Sequence, residues 1–268
     1  MISEKFIKVF KWILIILVLI VTIGPFIWLV LTSFKLEIDF FSKPLVILPS
    51  RITFKHYEKV LSDPSFKLYL FNSLLVSLVS TAISVFIGSL AAYSVSRHRF
   101  PFKFERYLSL YILFTITYPA ISVAIPYFAI IKSLNLLDTQ IAIILTYIGF
   151  GSPMTFWYML GFFKEFPHEI EEASMIDGCN VWQTFTRIVL PASVSGIVAA
   201  FTLVFILLWN EFLFANILSL RYAKTVPVFL AGYITDKSLE WGPIAATSTM
   251  FSIPVILLMS RNKALNSQ

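Results

Sequence analysis

Charge is scarce in this sequence. Charged residues make up 13% of its 268 positions, about half the roughly 25% of an average soluble chain. Too few solvated side chains remain to clothe a water-soluble globule, which excludes a soluble enzyme. Cysteine is nearly absent: Cys179 stands alone, so the chain can close no intramolecular disulfide and build no thiolate metal site. His56, His98 and His168 fall in three different loops without ligand spacing, and they read as plain surface residues rather than metal ligands. The nine glycines include no G-x-x-x-x-G-K-[ST] run, so no P-loop is present to cradle nucleotide phosphates. The net charge of +6 comes from basic residues scattered over the loops. With no stripe of them along one helix face, a nucleic-acid partner is excluded.

Apolar residues are what is abundant, at 58% of the chain against about 45–50% in soluble proteins. They gather in six runs: Trp12 to Leu31, Leu68 to Ser96, Tyr107 to Ile131, Thr139 to Phe163, Ala192 to Leu220 and Pro243 to Ser260. No basic residue lies inside these runs, and the only acidic one is Glu211. A transmembrane helix needs about 20 residues, so the expected fold is an all-α polytopic membrane protein of six spans, forming one transmembrane domain over residues 1–268. The first run is too long for the core of a signal peptide and has no small-residue cleavage site after it, so it is expected to stay as a span.

Orientation follows the basic residues. With both termini in the cytoplasm, that side holds Lys5, Lys8, Lys11, Arg97, Arg99, Lys103, Arg106, Lys164, Arg187, Arg261 and Lys263. The total is nearly even between the two sides. The density of basic residues before the first span and between Arg97 and Arg106 favours this orientation. The loop from Thr32 to Lys67, punctuated by Pro44, Pro49 and Pro64, is expected to carry short interfacial helices. Pro119 and Pro126 in the third run, and Gly149, Gly151 and Pro153 in the fourth, read as packing kinks or as pore-lining hinges.

The longest cytoplasmic connection, Lys164 to Pro191, has the strongest local pattern. Pro167 suits a first helical turn, and Glu169, Glu171 and Glu172 sit near the positive end of the helix dipole. Phe166, Ile170, Ala173 and Ile176 recur at helical spacing and predict one apolar face, with Glu165, Glu169 and Glu172 on another. Gly178 can take the left-handed conformation that ends a helix. Asn180 and Gln183 have the spacing of a capping box that opens the next one, whose apolar face is Val181, Phe185 and Ile188. A loop resting on lipid headgroups would carry Lys and Arg on its polar face. This one carries Glu165, Glu169, Glu171, Glu172 and Asp177 against Lys164 and Arg187, so its partner is expected to be a protein.

Glu172-Ala173-Ser174, three residues, Gly178, nine residues, and Ile188-Val189-Leu190-Pro191 resemble the EAA loop of ATP-binding-cassette importer permeases. The resemblance extends along nearly the whole chain to carbohydrate permeases similar to the maltose importer's G subunit. It runs through Ser33-Phe34-Lys35, Asn72-Ser73-Leu74, Ala91-Ala92-Tyr93 with Arg97, Ile125-Pro126, Leu134-Asn135-Leu136, Ile176-Asp177 and Trp209-Asn210-Glu211-Phe212. Departures are Ser174 for the second alanine of the triplet, Ser195 for a proline, and an end at Arg261 to Gln268 where the family continues with a glutamine-arginine pair and a glycine-rich basic tail. A short sixth helix is expected from the last of these.

The resemblance implies the type I importer permease (MetI-like) fold in the cell (inner) membrane and alternating access driven by partners. Those partners are a second permease subunit, two ATPase subunits that carry the ATP and magnesium, and a solute-binding protein that delivers a carbohydrate. The chain itself then has no catalytic site, no metal and no cofactor. The residues implied to couple it to the ATPase are Glu172, Ala173, Ser174, Asp177, Gly178, Ile188, Leu190 and Pro191, with Ala173 and Ile176 packed in the ATPase cleft. Trp209, Asn210, Glu211 and Asn72 are expected along the substrate pathway. Tyr233, Asp236, Lys237 and Glu240 occupy the position of the loop that reaches the binding protein. For Glu211, an intramembrane carboxylate, pathway lining and a helix-to-helix hydrogen bond shared with Asn210 both stay open. An ion-coupled secondary transporter using Glu211 is the alternative, and it is poorly served by a single carboxylate in six runs.

Overall fold

A computed structural model describes residues 4–98, 100–234 and 239–265. Among them the regular structure is helical, apart from one bridge between Ile234 and Leu239. The helices used below are α1 (Glu4–Ser33), α2 (Lys55–Ser62), α3 (Pro64–Arg97), α4 (Phe104–Thr117), α5 (Ala120–Ser133), α6 (Gln140–Glu165), α7 (His168–Ile176), α8 (Val181–Ala192), α9 (Val194–Trp209), α10 (Leu213–Leu218) and α11 (Trp241–Leu265).

Among the described residues four helices are long and apolar enough to cross a bilayer, in α1, α3, α6 and α11; six result only if two bent pairs each count as one span. The third expected span is broken by 93° between α4 and α5. Pro119 has no amide to donate and pushes Tyr118 into extended backbone, with ψ of 132°. Pro126 and Pro153 sit inside continuous helices, whereas Pro119 marks a full break. The fifth expected span is also in pieces: α9 ends at Trp209, and α10 begins at Leu213. Glu211 therefore lies in a break between helices. The last helix runs 25 residues to Leu265, so it is not short.

The chain divides into two compact units, Met1–Lys67 with Phe229–Ile253, and Leu68–Val228 with Pro254–Gln268. In the first, the connection after α1 carries a short helix at Glu37–Phe40 and then α2, as expected. Burial pulls the Lys35 ammonium below its usual range, partly opposed by Asp39. The ammonium donates to the Val46 carbonyl at 2.8 Å and lies 3.9 Å from the Trp28 ring centroid. His56, expected on the surface, is buried: its Nε2 is 2.9 Å from the Lys35 carbonyl oxygen. Gly242 leaves room for that imidazole, since a Cβ there would lie 2.1 Å from its Cε1.

In the second unit α3 and α6 approach closely along a seam of small and hydroxyl residues, as suits helices packed without a hydrophobic force between them. A Cβ on Gly88 would lie 2.5 Å from Thr155 Cβ, and one on Gly151 would lie 2.5 Å from Ser84 Oγ. Ser80, Ser84 and Thr155 are buried in the same seam, where Ser80 Oγ donates to Ile144 O at 3.3 Å. At one end of this unit Asp138, held at φ of 58°, accepts the backbone amides of Leu220, Arg221, Tyr222 and Ala223 at 2.9–3.0 Å. The buried Asn72 amide donates to the carbonyls of Tyr222 and Lys224, and Ser73 Oγ accepts the Val226 amide. Three side chains thus fix the backbone from 220 to 226.

Desolvation opposes the charge on Asp138, but the four amides of residues 220–223 outweigh it and hold the carboxyl below its usual range. A depressed carboxyl contributes stability above its unfolded value, near about 3.9, and loses it as the pH falls through the folded value. Asp138→Asn is therefore expected to cost about 2 kcal/mol near neutral pH. Its deficit in thermal midpoint should shrink as the pH falls below about 4; a deficit that stays constant from pH 7 to 3 would show that the charge plays no part.

Candidate functional site

Local chemistry shapes the segment between α6 and α9. Pro167 caps α7 from the position before its first residue. The helix ends as glycine-terminated helices do: Gly178 takes φ of +90°, its amide reaches Met175 O at 3.1 Å, and the Cys179 amide reaches Ser174 O at 3.0 Å. Asn180 and Gln183 then form the expected capping box, with bonds of 2.9 and 3.0 Å. Ser174 Oγ lies 2.9 Å from Thr184 Oγ1 and ties α7 to α8. A π-helical stretch at Phe185–Val189 follows, and α8 meets α9 at a bend of 76°. Phe185 anchors the segment, with its ring 4.7 Å from Tyr93 in a buried cluster that includes Phe163 and Val189.

The apolar positions expected on one face of α7 are left open on its surface. Ile170, Ala173 and Ile176 are exposed, Ile176 at 87%, together with Glu172 and Asp177. The residues turned inward are Glu171 and Ser174. Helical spacing identifies faces but does not say which one meets the protein, and here the polar partners of Glu171 decide. Arg97 Nε donates to Glu171 Oε1 at 2.6 Å, with the two side chains 6% and 5% exposed. Tyr93 OH donates to Glu171 Oε2 at 2.8 Å, and Arg97 Nη2 donates to Phe166 O at 2.9 Å. Arg97 Nη1 also lies 3.2 Å from Nε2 of the exposed His168. The sequence did not single out Glu171. The available signal was the four-residue spacing of Tyr93 and Arg97, which puts a hydroxyl and a cation on one face of α3.

Of the coupling residues expected, Glu172, Ala173, Asp177 and Gly178 form the exposed tip, and Pro191 is exposed at the far end of α8. Ser174 is buried; Ile188 and Leu190 are half-buried. Met175 and Trp182 add exposed apolar surface that the sequence did not point to, and Val181, expected on the apolar face of α8, is exposed as well.

A cavity of about 680 Å³ opens where α4, α5, α6 and α9 meet α10. Tyr111, Tyr118, Tyr127, Phe150, Phe214 and Glu211 are among its walls. Glu211 accepts the amides of Phe214 at 2.9 Å and Ala215 at 3.1 Å, so it caps α10, while Tyr147 OH donates to its backbone carbonyl at 3.2 Å. Asn210 turns instead to Ile206 O at 2.8 Å, which removes the hydrogen bond shared between Asn210 and Glu211. Trp209 is buried and stacks on Phe205 at 5.4 Å. Asn72 holds the 222–224 backbone and accepts from Gln140 at 2.6 Å. The four expected pathway residues are thus not brought together, and of them only Glu211 lines the cavity.

In the unit containing α2, Glu240 pairs with Lys59. Burial, with the nearby Asp63 and Glu240 carboxylates, pushes the Tyr233 phenol up to about 12. Asp236 and Lys237 lie outside the described residues. No cluster of three or more His, Cys, Asp or Glu side chains suited to a metal occurs among the described residues.

Comparison with known proteins gives a consistent result. Residues 84–267 match the family model described as the binding-protein-dependent transport system inner membrane component. A trehalose/maltose transport system permease protein of Thermococcus litoralis is 35% identical over 247 residues, covering 91% of this chain and 87% of that one. An inner membrane ABC transporter permease protein of Escherichia coli is 35% identical over 245 residues, covering 90% and 87%. Among solved structures, a chain of a bacterial ABC transporter involved in import of the acidic polysaccharide alginate superposes with a TM-score of 0.77, at 22% identity and 98% coverage of each chain.

Removing one partner of a buried ion pair strands the other, at a cost of about 3–5 kcal/mol. Arg97→Met and Glu171→Met are each expected to lower the thermal midpoint of the detergent-solubilised protein sharply, and the double variant less than either alone. Additive losses in the double variant would contradict the pairing.

Proposed function

From the premise that the chain belongs to the family of binding-protein-dependent transport system inner membrane components, we propose that it is the permease subunit of an ATP-driven importer. It moves a carbohydrate, delivered by a solute-binding protein, across the cell membrane by alternating access. The relatives support the carbohydrate: a trehalose/maltose permease and a trehalose permease, each about a third identical to this chain. The chain is a multi-pass membrane subunit of transport and not a catalytic one. Two ATPase subunits supply ATP and magnesium, and a second permease subunit completes the passage. Both termini lie in the cytoplasm, with the 164–191 segment on that side.

One observation carries the coupling assignment. α7 presents Glu172, Ile176 and Asp177 outward at its tip while its opposite face is bound through Glu171 to Arg97 at the end of α3. A partner that takes hold of the tip pulls on a long helix through a buried, charge-assisted contact. An acidic tip repels anionic lipid and suits the basic rim of a protein cleft. Glu172 contacts the ATPase, Ala173 and Ile176 enter its cleft, and Gly178 sets the turn. Ser174 acts from inside, through Thr184, and Ile188, Leu190 and Pro191 carry the motion into α9. Tyr233 and Glu240, with Asp236 and Lys237, face the binding protein.

The test is a mild-detergent pull-down of the tagged full chain from its native membrane, with every co-purifying chain identified by mass, repeated with Glu172→Lys. An ATPase and a second permease should come with the wild type, and the ATPase should be lost from the variant. Recovery of this chain alone, unchanged by the substitution, would favour a secondary transporter.

A further inference from the structure

The walls of the 680 Å³ cavity combine aromatic rings with charge of one sign. Tyr111, Tyr118, Tyr127, Phe150 and Phe214 contribute rings, Glu211 contributes the carboxylate, and no Lys, Arg or His is among its lining residues. The volume lies within the about 300–1,000 Å³ usual for small-ligand sites, which are mostly apolar with a few placed polar groups. Two helix breaks shape it, one at Tyr118 and Pro119 and one at residues 210–212; broken helices are tolerated at membrane depth where they line a cavity. Gly149 keeps the wall thin beside Tyr127, whose hydroxyl would lie 3.1 Å from a Cβ there.

Glu211 is fixed before any ligand arrives. The amides of Phe214 and Ala215 each occupy one carboxylate oxygen, and a carboxylate has about four lone-pair positions. The remaining ones can accept hydroxyl donors. Sugar rings offer both matching surfaces: C–H faces that stack on aromatic rings and a rim of hydroxyl donors. An anionic group a few ångströms from Glu211, with no cation in the wall to balance it, is repelled by an amount that weakens binding on the order of a hundredfold.

We propose that this cavity takes a neutral sugar and turns away sugars bearing carboxylate, sulfonate or phosphate, with Glu211 as the residue that sets this selectivity. The proposal rests on the permease reading above and deepens it from carbohydrate to uncharged carbohydrate.

The experiment places a reporter in the wall. Thr115→Cys is introduced with Cys179→Ser, the whole importer is reconstituted in lipid nanodiscs without its binding protein, and the rate of N-ethylmaleimide labelling is followed. The probes are maltose, trehalose, cellobiose and diacetylchitobiose on one side, and alginate disaccharide, maltobionate and trehalose 6-phosphate on the other. ATP-driven uptake of the neutral probes is measured in proteoliposomes with the binding protein present. At least one neutral probe that is imported should slow labelling fivefold or more, while the anionic probes should need about a hundredfold higher concentration. Glu211→Gln should narrow that gap at least tenfold.

Equal protection by anionic and neutral probes would overturn the selectivity. Uptake of a neutral probe without protection by it would overturn the cavity assignment and leave the permease reading standing. Uptake of no neutral probe would remove the carbohydrate reading and this proposal with it. The wild-type arm decides alone if Glu211→Gln does not assemble.

Discussion

Taking a guanidinium and a carboxylate out of water costs several kcal/mol for each ion, and Arg97 and Glu171 are both almost fully withdrawn. The pair persists because its hydrogen-bonding capacity is met: Tyr93 takes up the second carboxylate oxygen, and the Phe166 carbonyl takes a guanidinium nitrogen. Such an arrangement is weak as a source of stability but strict in geometry, because a small displacement leaves a buried charge without its partner. That strictness fixes α7 against the end of α3. The rest of the segment supports this constraint: Phe185 roots α8 against Tyr93, the glycine-terminated end of α7 sets its angle, and Ser174 joins α7 to α8.

The opposite end of the same unit uses a different device for the same purpose. Asp138 gathers four successive amides, and Asn72 and Ser73 hold the carbonyls and amide that follow. Between these two fixed ends lie the breaks, at Tyr118 and Pro119 and at residues 210–212. A helix pair that rocks needs rigid ends and interrupted middles, and the cavity with Glu211 sits where the interruptions meet.

Local chemistry was legible where residues near in sequence decide the outcome. Gly178 and the pair Asn180 and Gln183 announced a helix end and a helix start, and both occur where they were read. What residues distant in sequence decide was not legible. Periodicity separated the faces of α7 but could not show that Glu171 is the residue held from inside, because Arg97 lies 74 positions before it. Pro119 and Pro126 look alike as sequence, yet only the first ends a helix. His56 looked like a loop residue until Gly242, far along the chain, made space for its ring. The surroundings of the expected pathway residues were not legible for the same reason: Trp209, Asn210 and Glu211 are adjacent in sequence, but around a helix end adjacent side chains point to different surroundings.

The central claim is that force reaches the membrane helices through the contact of Glu171 with Arg97. It is tested most directly by the ratio of solute imported to ATP hydrolysed in proteoliposomes of the whole importer, for wild type and for Glu171→Gln. The account predicts that the variant keeps binding its ATPase and hydrolysing ATP while the ratio falls at least tenfold. An unchanged ratio, with uptake and hydrolysis reduced together or not at all, would contradict it.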